Sequence, residues 1–252
     1  MTTITKIARV LDLYTPSTPA WGVSEVAAAL DMPRSTAHAL LAGLTEIGLL
    51  QQPRRGRYTL GWRAFELGQM QRVTSGGLIE TAHPIMLELA RRHAESIALA
   101  VYERQSLIFI DKVVGEDPLS VVGPRIGLRY DNPHSFASGR LLMSQRSKKD
   151  VDDYIASGEM RIRSSGTVLT PDSLRTQLHR IDAVGLSIDY GEAIADVGCV
   201  AAPVVGPLGR VIASISVSAP MGRFREKEST MSASVRTAAA TISQRLREAE
   251  RS

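Results

Sequence analysis

The stretch "MPRSTAHALLAGL", from Met32 to Leu44, decides how the first part of this sequence folds. Pro33 stands near its start, where a proline ring suits the first helical position, and Gly48 follows where a helix commonly ends. Between them apolar residues recur at helical intervals, which predicts an amphipathic helix up to about Ile47. Its apolar stripe is expected to be buried and consists of Ala37, Leu40, Leu41, Leu44 and Ile47.

The opposite face of this predicted helix is polar near its amino end. Serine and threonine hydroxyls both donate and accept hydrogen bonds, arginine pairs with guanine or phosphate, and free amides at a helix start favour an anion. This chemistry suits the edges of a DNA groove. The alternative is a solvated helix face, because Ser and Thr are also common near helix starts. The polar residues are Arg34, Ser35, Thr36 and His38, with the small Ala39 and Ala42 beyond them.

The segments on either side of this helix favour the DNA-binding interpretation. Before it, "VSEVAAAL" predicts a short helix with Ser24 as its N-cap, followed by a tight turn at "DM". After it, "LLQQ" and "RYTL" flank "PRRG" and predict a small hairpin. The hairpin carries Arg54, Arg55 and Arg57, with no acidic residue in either strand. A support helix, a recognition helix for the major groove and a basic wing along the phosphates, in this order, predict a winged helix-turn-helix domain.

The charge distribution places most of the basic excess in this first part of the chain. Of the 252 residues, 44% are hydrophobic and 22% are charged, as in an ordinary globular protein, and this length favours two domains. The formal net charge is +4, and residues 1–76 hold eight Lys and Arg against five Asp and Glu. The helical pattern of "WRAFELGQMQRV" then ends at "TSGG". We therefore predict a DNA-binding domain over 1–60, a linker helix over 61–77 and a second domain over 78–252.

Several functional classes are not indicated by the sequence. One cysteine, Cys199, excludes an internal disulfide framework and a multi-cysteine metal site, and it suits a reducing cytoplasm. No apolar run approaches roughly 18 residues, so no membrane span is expected, and the charged amino end does not resemble a secretory signal. The five histidines show no metal-ligand spacing. We expect a cytoplasmic protein without metal, cofactor or catalytic residues, and therefore not an enzyme.

The second part of the chain alternates helical and extended segments, which predicts an α+β fold. Helical periods mark 78–93, "SFASGRLLMS", "DVDDYIAS" and 225–250, and "TPDSLRTQLHRIDAVG" opens with Thr170 as N-cap and Pro171 just inside the helix. Extended patterns mark "IALAVYE" and "LIFIDKVV" as neighbouring strands, with "PLSVV" as a further strand. The segments "VGCVAAPVV" and "RVIASISVSA" flank "GPLG" and predict an antiparallel hairpin.

Four stretches of this sequence together resemble the IclR-type bacterial transcriptional regulators. They are "VSEVAAALDMPRSTAHALLAGLTEIGLL", "GRYTLG", "HSFASGRLLMS" and "GLSIDYGEAIADVGCVAAPVVGPLGRVIASISVSAP", and the resemblance covers nearly the whole chain. It implies an N-terminal winged helix-turn-helix domain, a linker helix and a C-terminal α/β effector-binding domain resembling the GAF fold. It also implies a homodimer, or a dimer of dimers forming a homotetramer, on double-stranded operator DNA. The implied function is ligand-responsive transcription regulation, with repression of catabolic genes.

The resemblance also implies a pocket for a small organic effector with a carboxylate, aromatic or amide-like group. The residues themselves support such a site, because the serines at 214, 216 and 218 share one face of a strand and buried hydroxyls need partners. The alternative is a solvent-facing serine row on an edge strand. The helix after Ser135 offers free amides for a carboxylate, with a plain capped helix as the alternative. The pocket residues carried over are Ala137, Ser138, Asp189, Cys199, Ser216 and Ser218.

Two departures from the family pattern are present. Ala39 stands where the family commonly has Arg, which removes one expected DNA contact. Gly139 and Arg140 stand where the family usually has Gly and Lys, a change that does not threaten the fold.

Two rival functions compete with the regulator hypothesis. One is a small-molecule hydrolase or sensor enzyme that uses Cys199 as its nucleophile, with the N-terminal part as an interaction domain. A small buried residue is the plainer interpretation of this cysteine. The other rival is a DNA-binding protein whose pocket is degenerate.

Overall fold

The computed structural model describes residues 2–74, 77–116, 123–158, 160 and 170–251. It divides the chain into two compact units, Met1–Ser75 and Gly76–Ser252, which we call the N-terminal unit and the C-terminal unit. Both units combine helices with an antiparallel sheet, so the predicted α+β class is confirmed. The predicted strand "PLSVV" and the boundary residues 75 and 76 lie outside the described residues.

The N-terminal unit has the element order of a winged helix-turn-helix domain. Its elements are α1 (Thr3–Asp12), β1 (Ala20–Trp21), α2 (Val23–Ala29), α3 (Arg34–Glu46), β2 (Leu50–Arg54), β3 (Arg57–Leu60) and α4 (Trp62–Thr74). The strands β2 and β3 form the predicted hairpin. The segment "TPSTPAWG" was expected to be a loop, but its last residues form β1 and pair with β3. The three-stranded sheet therefore has the order β1-β3-β2.

An apolar cluster joins the first three helices to the sheet. Val10 of α1, Val26 of α2 and Leu41 of α3 are all fully buried in it. The stripe predicted on α3 is confirmed at its first four positions, but the fifth is wrong, because Ile47 is 60% exposed. Helix α3 ends at Glu46 and Gly48 has a φ of +76°, so the chain has already left the helical path at Ile47.

Two helices start at a different residue from the one predicted. Gly22, not Ser24, is the N-cap of α2, and its N–H donates to Oε2 of Glu25 at 2.7 Å. Because the glutamate closes this turn, no serine side chain is needed at the cap, and Ser24 lies inside the first turn. Pro33 is the N-cap of α3 with a ψ of 142°, so the helix begins at Arg34.

Helix α4 confirms the predicted helix after the hairpin, and no residue of it is buried. Its apolar side chains are instead exposed to solvent. The exposed apolar residues are Trp62, Phe65, Leu67, Met70 and Val73.

The C-terminal unit is built on one six-stranded antiparallel sheet. Its helices are α5 (Leu78–His93), α6 (Ala137–Ser144), α7 (Lys148–Ala156), α8 (Pro171–Val184) and α9 (Met221–Arg251). Its strands are β4 (Ser96–Glu103), β5 (Ser106–Val113), β6 (Arg129–Tyr130), β7 (Ser187–Tyr190), β8 (Val197–Val205) and β9 (Val211–Pro220). The strand order is β6-β5-β4-β9-β8-β7, so both predicted pairs, β4-β5 and β8-β9, are confirmed as neighbours.

The two faces of this sheet are covered by different helices. Ile215 and Val217 are fully buried in the cluster that β9 forms with α5 and α9. Ala98 and Ala100 of β4 lie on the other face, in a cluster with Leu142 of α6. Because side chains alternate along a strand, the serines of β9 lie on the α6 face. This alternation directs the polar residues of the sheet toward α6.

The predicted caps of α8 are confirmed, whereas α9 begins earlier than predicted. Thr170 accepts a hydrogen bond from the N–H of Ser173, and Pro171 is the first helical residue. The closing helix was expected from about Arg225 but starts at Met221, because Phe224 is already fully buried against the sheet. No helix in the described part of the chain is both long and apolar enough to cross a membrane. No group of three metal-binding side chains occurs among the described residues.

Candidate DNA interface and ligand pocket

Helix α3 presents the predicted polar face to solvent. Arg34, Ser35 and His38 are exposed and Thr36 is half-buried. No side chain caps the amino end of α3, so the N–H groups of its first turn remain available to an outside acceptor. Ala39 is exposed on the same face. Its short side chain does not extend from the helix as the arginine common in the family would.

The wing turn places two arginines in solvent. Strands β2 and β3 pair Arg54 with Arg57 across the two-residue turn formed by Arg55 and Gly56. Gly56 has a φ of +78°, a conformation that glycine adopts without a steric penalty. Arg54 and Arg55 are exposed and have no hydrogen-bond or ion-pair partner within the described ranges. Their charges are therefore available to phosphates.

Arg57, the third predicted wing contact, is placed differently. Its Nη1 donates to both carboxylate oxygens of Glu25, at 2.8 and 2.7 Å, and its Nη2 donates to the carbonyl oxygen of Ala20 at 2.7 Å. The side chain therefore connects β3 to α2 and β1. No local pattern in the sequence indicates this pairing, because Glu25 lies 32 positions earlier.

The register of the C-terminal sheet collects polar residues into two transverse rows. Asp189 of β7 pairs with Cys199 of β8, which pairs with Ser218 of β9, which pairs with Ser96 of β4. In the next row, Ser187, Ala201, Ser216 and Ala98 lie side by side in the same strand order. All of these positions lie on the α6 face of the sheet, and together they form a floor of small and polar side chains.

A cavity lies between this floor and the start of α6. Its volume is about 30 Å³, measured as the space that the centre of a water molecule can occupy. All six residues carried over from the family resemblance line it, namely Ala137, Ser138, Asp189, Cys199, Ser216 and Ser218. The structure therefore brings together side chains that are up to 81 positions apart in the sequence, from 137 to 218.

The serine row is buried and not solvent-facing, which excludes the alternative of an edge strand. Strand β9 lies between β4 and β8, Ser214 is fully buried and Ser216 is 2% exposed. Ser216 Oγ donates a long hydrogen bond to the carbonyl oxygen of Ala98 at 3.5 Å. Ser214 Oγ has no partner within the described part of the chain. Ser216 lines the cavity and favours a polar molecule there, whereas Ser214 is not one of the lining residues.

The start of α6 presents unused hydrogen-bonding groups to the cavity. Phe136 is the N-cap with no side-chain capping bond, and Ser138 Oγ is buried without a partner among the described residues. A Cβ on Gly139 would lie 2.0 Å from the carbonyl oxygen of Pro133, so only glycine lets the preceding turn pack this closely. This contact fixes the position of the first turn of α6 over the sheet.

Asp189 is a buried acid at the edge of the cavity. Its Oδ1 accepts hydrogen bonds from the N–H groups of Gly191 and Glu192, at 2.9 and 2.7 Å. Burial and a hydrogen bond with the Glu192 carboxylate raise its pKa to about 8, although the charge of Arg140 opposes this shift. Asp189 is therefore mostly protonated at neutral pH and does not repel an anion as a carboxylate would.

Arg140, which stands where the family usually has lysine, is a buried positioning residue. It is 1% exposed, and its guanidinium donates to the carbonyl oxygens of His134 at 2.9 Å and Ile188 at 2.7 Å. It also lies 3.5 Å from Oε2 of Glu192. The available signal was a charged residue inside the apolar run "GRLLM", where a buried charge must have partners.

Aromatic residues form a wall of the cavity that sequence reasoning missed. Phe109 and Phe136 line it, with ring centroids 5.8 Å apart, and Tyr130 packs edge-on against both at 5.7 and 5.2 Å. These rings come from two strands and a helix cap, so no local pattern in the sequence predicts their meeting. The wall suits the face or edge of a flat ring.

Cys199 lacks the environment of a nucleophile. Burial raises the pKa of its thiol to about 12, and a charge on Asp189 would raise it further. The thiolate, not the thiol, is the reactive form, and it is scarcely populated at neutral pH. The enzyme hypothesis therefore has no activated group at this position.

Comparison with known proteins covers both units. The model of the IclR helix-turn-helix domain matches residues 3–54, and the model of the bacterial transcriptional regulator IclR C-terminal domain matches residues 70–244. The chain is 30% identical over 228 residues to the HTH-type transcriptional regulator KdgR of Dickeya chrysanthemi, covering 89% of this chain and 73% of that protein.

Solved structures agree with this similarity. An IclR homolog from Microbacterium hydrocarbonoxydans, complexed with 4-hydroxybenzoate, superposes with a TM-score of 0.81 at 25% identity, covering 98% of this chain and 100% of that one. The Thermotoga maritima IclR superposes with a TM-score of 0.68 at 26% identity, covering 97% and 98%.

Proposed function

Because this chain belongs to the IclR family of bacterial transcriptional regulators and is a ligand-responsive DNA-binding regulator, we propose how its two units divide that task. Residues 1–60 bind operator DNA, residues 61–77 form a linker, and residues 78–252 bind the effector. The observation that carries the proposal is the cavity beside α6, which brings together all six expected pocket residues.

DNA contacts come from α3 and from the wing. Arg34, Ser35, Thr36 and His38 lie at the amino end of α3 and contact base edges and phosphates in the major groove. Arg54 and Arg55 contact phosphates along the flanking backbone. With Ala39 in place of an arginine, base reading depends more on the first turn of α3.

The effector is a small aromatic carboxylic acid. Its ring packs against Phe109 and Phe136, and its carboxylate accepts hydrogen bonds from Ser138 Oγ and from the free N–H groups at the start of α6. The protonated Asp189 carries no charge that would repel such an anion. The 4-hydroxybenzoate complex of a 25% identical relative supports this class.

A second copy of the chain covers exposed apolar side chains of α4. Trp62 is 73% exposed and Phe65 is 58% exposed, and their rings contact each other edge-on at 6.2 Å. Pairing through this helix presents two DNA-binding units to two half-sites, as a two-fold symmetric operator requires. Dimers of this kind can pair again to form a tetramer.

Regulation follows from a shift between two arrangements of the dimer. The effector favours the arrangement to which it binds more tightly, and this arrangement has the lower DNA affinity, so the regulator releases its operator. The protein acts in the cytoplasm as a repressor and not as an enzyme, since its cysteine is not activated.

The experiment uses the full-length chain and a duplex that this chain selects from a random-sequence library. We expect saturable binding that weakens steeply with salt, and release on addition of benzoate or 4-hydroxybenzoate. Benzamide, which has the same ring without the charge, serves as the matched control. Tighter binding with the acid would contradict effector-induced release, and an equal effect of benzamide would contradict the carboxylate assignment.

A further inference from the structure

Glu25 and Arg57 form a three-point connection between the support helix and the wing. The guanidinium donates to both oxygens of the carboxylate and to the carbonyl oxygen of Ala20. Glu25 belongs to α2 and Ala20 to β1, and Arg57 itself is the first residue of β3. The pair therefore fixes the base of the wing relative to the helix that supports α3.

Backbone contacts reinforce this connection. The N–H of Gly22 donates to Oε2 of Glu25 at 2.7 Å, so the carboxylate is held in place from two sides. This hydrogen bond is the largest cause that lowers the pKa of Glu25, and the hydrogen bonds from Arg57 are the next. The carboxyl group therefore stays ionised. A Cβ on Gly22 would lie 3.2 Å from the carbonyl oxygen of Gly56, so the wing turn lies directly against the start of α2.

The location of Glu25 calls for an explanation. Glu25 lines a groove together with Arg34 of the recognition helix and with Gly56 and Arg57 of the wing turn. A carboxylate beside a surface that binds phosphates lowers affinity through its negative charge. We therefore expect Glu25 to favour DNA binding in another way, by more than its repulsion of the phosphates opposes it.

We propose that Glu25 is a positioning residue for DNA binding, which holds Arg57 and thereby sets the direction of Arg54 and Arg55. Arg57 then acts through this ion pair and not as a phosphate contact. Fixing the wing before DNA arrives removes the ordering cost that a loose hairpin would incur on binding. The inference rests on DNA binding by the N-terminal unit and adds to it a residue that carries the wrong charge for a phosphate contact.

The test compares charge-neutralising variants of the full-length chain. The variants are Glu25→Gln, Arg57→Gln, the double variant and Arg54→Gln, each titrated with the wild-type-selected duplex at several potassium chloride concentrations. Glu46→Gln is the matched control, because it removes one exposed negative charge from the same unit without a partner among the described residues. Thermal unfolding of each variant defines a temperature at which all are folded.

The expected sign of the Glu25→Gln effect is opposite to that of simple electrostatics. We expect it to weaken binding about fivefold to tenfold, while Glu46→Gln leaves binding unchanged or slightly tighter. The double variant binds no more weakly than the weaker single variant, because both substitutions remove the same connection. The slope of log affinity against log salt for the double variant equals that of wild type. Arg54→Gln lowers the magnitude of this slope by about 1.

Arg57→Lys supplies an independent check. Lysine keeps the charge and binds phosphate well, but its single nitrogen cannot replace both terminal nitrogens of Arg57, of which Nη1 contacts Glu25 and Nη2 contacts the carbonyl oxygen of Ala20. The proposal expects Arg57→Lys to bind DNA as weakly as Arg57→Gln. A phosphate contact at this position would predict near wild-type binding instead.

Two results would overturn the inference without touching the regulator function. One is Glu25→Gln binding as tightly as wild type or more tightly. The other is a double variant whose salt slope falls as much as that of Arg54→Gln. If the wild-type chain selects no duplex at all, the proposed DNA-binding function itself fails.

Discussion

The guanidinium of Arg140 donates to the carbonyl oxygen of Ile188 at 2.7 Å and so joins helix α6 to strand β7 beneath the cavity. Ile188 immediately precedes Asp189, and Arg140 follows Ser138 by two positions. The buried charge thus fixes the distance between the two sides of the pocket that would contact an effector. It also lies near Glu192, whose N–H donates to Asp189.

Arg140→Met should destabilise the protein by about 3–5 kcal/mol, because it leaves two carbonyl oxygens and a nearby carboxylate without their buried donor. Urea unfolding of the full chain measures this loss. Arg245→Met, on an exposed position without a partner among the described residues, is the control and should change stability by less than about 0.5 kcal/mol. Equal effects of the two substitutions would contradict the positioning role of Arg140.

Asp189→Asn should flatten the dependence of stability on pH. The folded-state pKa of Asp189 is raised to about 8, so its contribution to stability is fully present below about pH 4 and is lost as pH rises toward 8. Asparagine keeps an acceptor for the N–H groups of Gly191 and Glu192 and cannot ionise. Melting temperatures from pH 5 to 9 test this, with Asp12→Asn, on an exposed position, as the control. Parallel curves for Asp189→Asn and wild type would contradict the prediction.

Ser138→Ala should separate effector binding from stability. Because Ser138 Oγ is buried without a partner in the described structure, its removal should leave the free energy of unfolding unchanged or slightly higher. Affinity for 4-hydroxybenzoate, measured by calorimetry, should fall about threefold to tenfold.

Ser243→Ala is the matched control for that experiment. Ser243 Oγ accepts from the N–H of Val205 and donates to the carbonyl oxygen of Ala239, so its loss should cost about 1 kcal/mol of stability without affecting the ligand. If Ser138→Ala destabilised the free protein as much, its hydroxyl would have a structural partner and the pocket assignment would lose its support.

Local patterns in the sequence predicted a helix well where an N-cap residue or an apolar stripe with helical spacing marks it. Helix α8 begins with Thr170 and Pro171 as predicted, and α3 buries the stripe that includes Leu40 and Leu44. Both signals lie within a few residues of each other. The error at Ile47 arose because the period continues for one residue beyond the point where the chain turns.

The pocket and the wing connection depend on contacts that no local pattern contains. The row of Asp189, Cys199 and Ser218 requires the register of three strands, and family resemblance alone supplied its members. The ion pair of Glu25 with Arg57 depends on the orientation of the β2-β3 hairpin relative to α2. Such contacts follow from packing of the whole unit, so the sequence predicted residue types there but not their partners.

Gly139→Ala should disrupt the C-terminal unit, because the added Cβ would lie 2.0 Å from the carbonyl oxygen of Pro133 and the turn before α6 would have to move. We expect a loss of about 1–3 kcal/mol in urea unfolding, together with loss of 4-hydroxybenzoate binding. Gly68→Ala in the exposed α4 is the control. It meets no atom within 4 Å and should stabilise the helix by about 1 kcal/mol. A stable Gly139→Ala variant with normal ligand affinity would contradict the close approach.

Substitution of exposed apolar side chains of α4 should convert the proposed dimer to a monomer. Trp62→Glu with Phe65→Glu places two charges where a second copy is proposed to pack, and desolvating them opposes association. Sedimentation velocity should show a mass near 27.3 kDa for this variant and a multiple of it for wild type. Leu208→Glu is the control, because Leu208 is 84% exposed at the tip of the β8-β9 hairpin and lies outside the proposed contact.

The α4 double variant should keep its thermal stability, since α4 buries nothing within its own unit. Its affinity for a duplex with two half-sites should fall far more than its affinity for a single half-site. A variant that sediments like wild type would show that the copies associate through another surface.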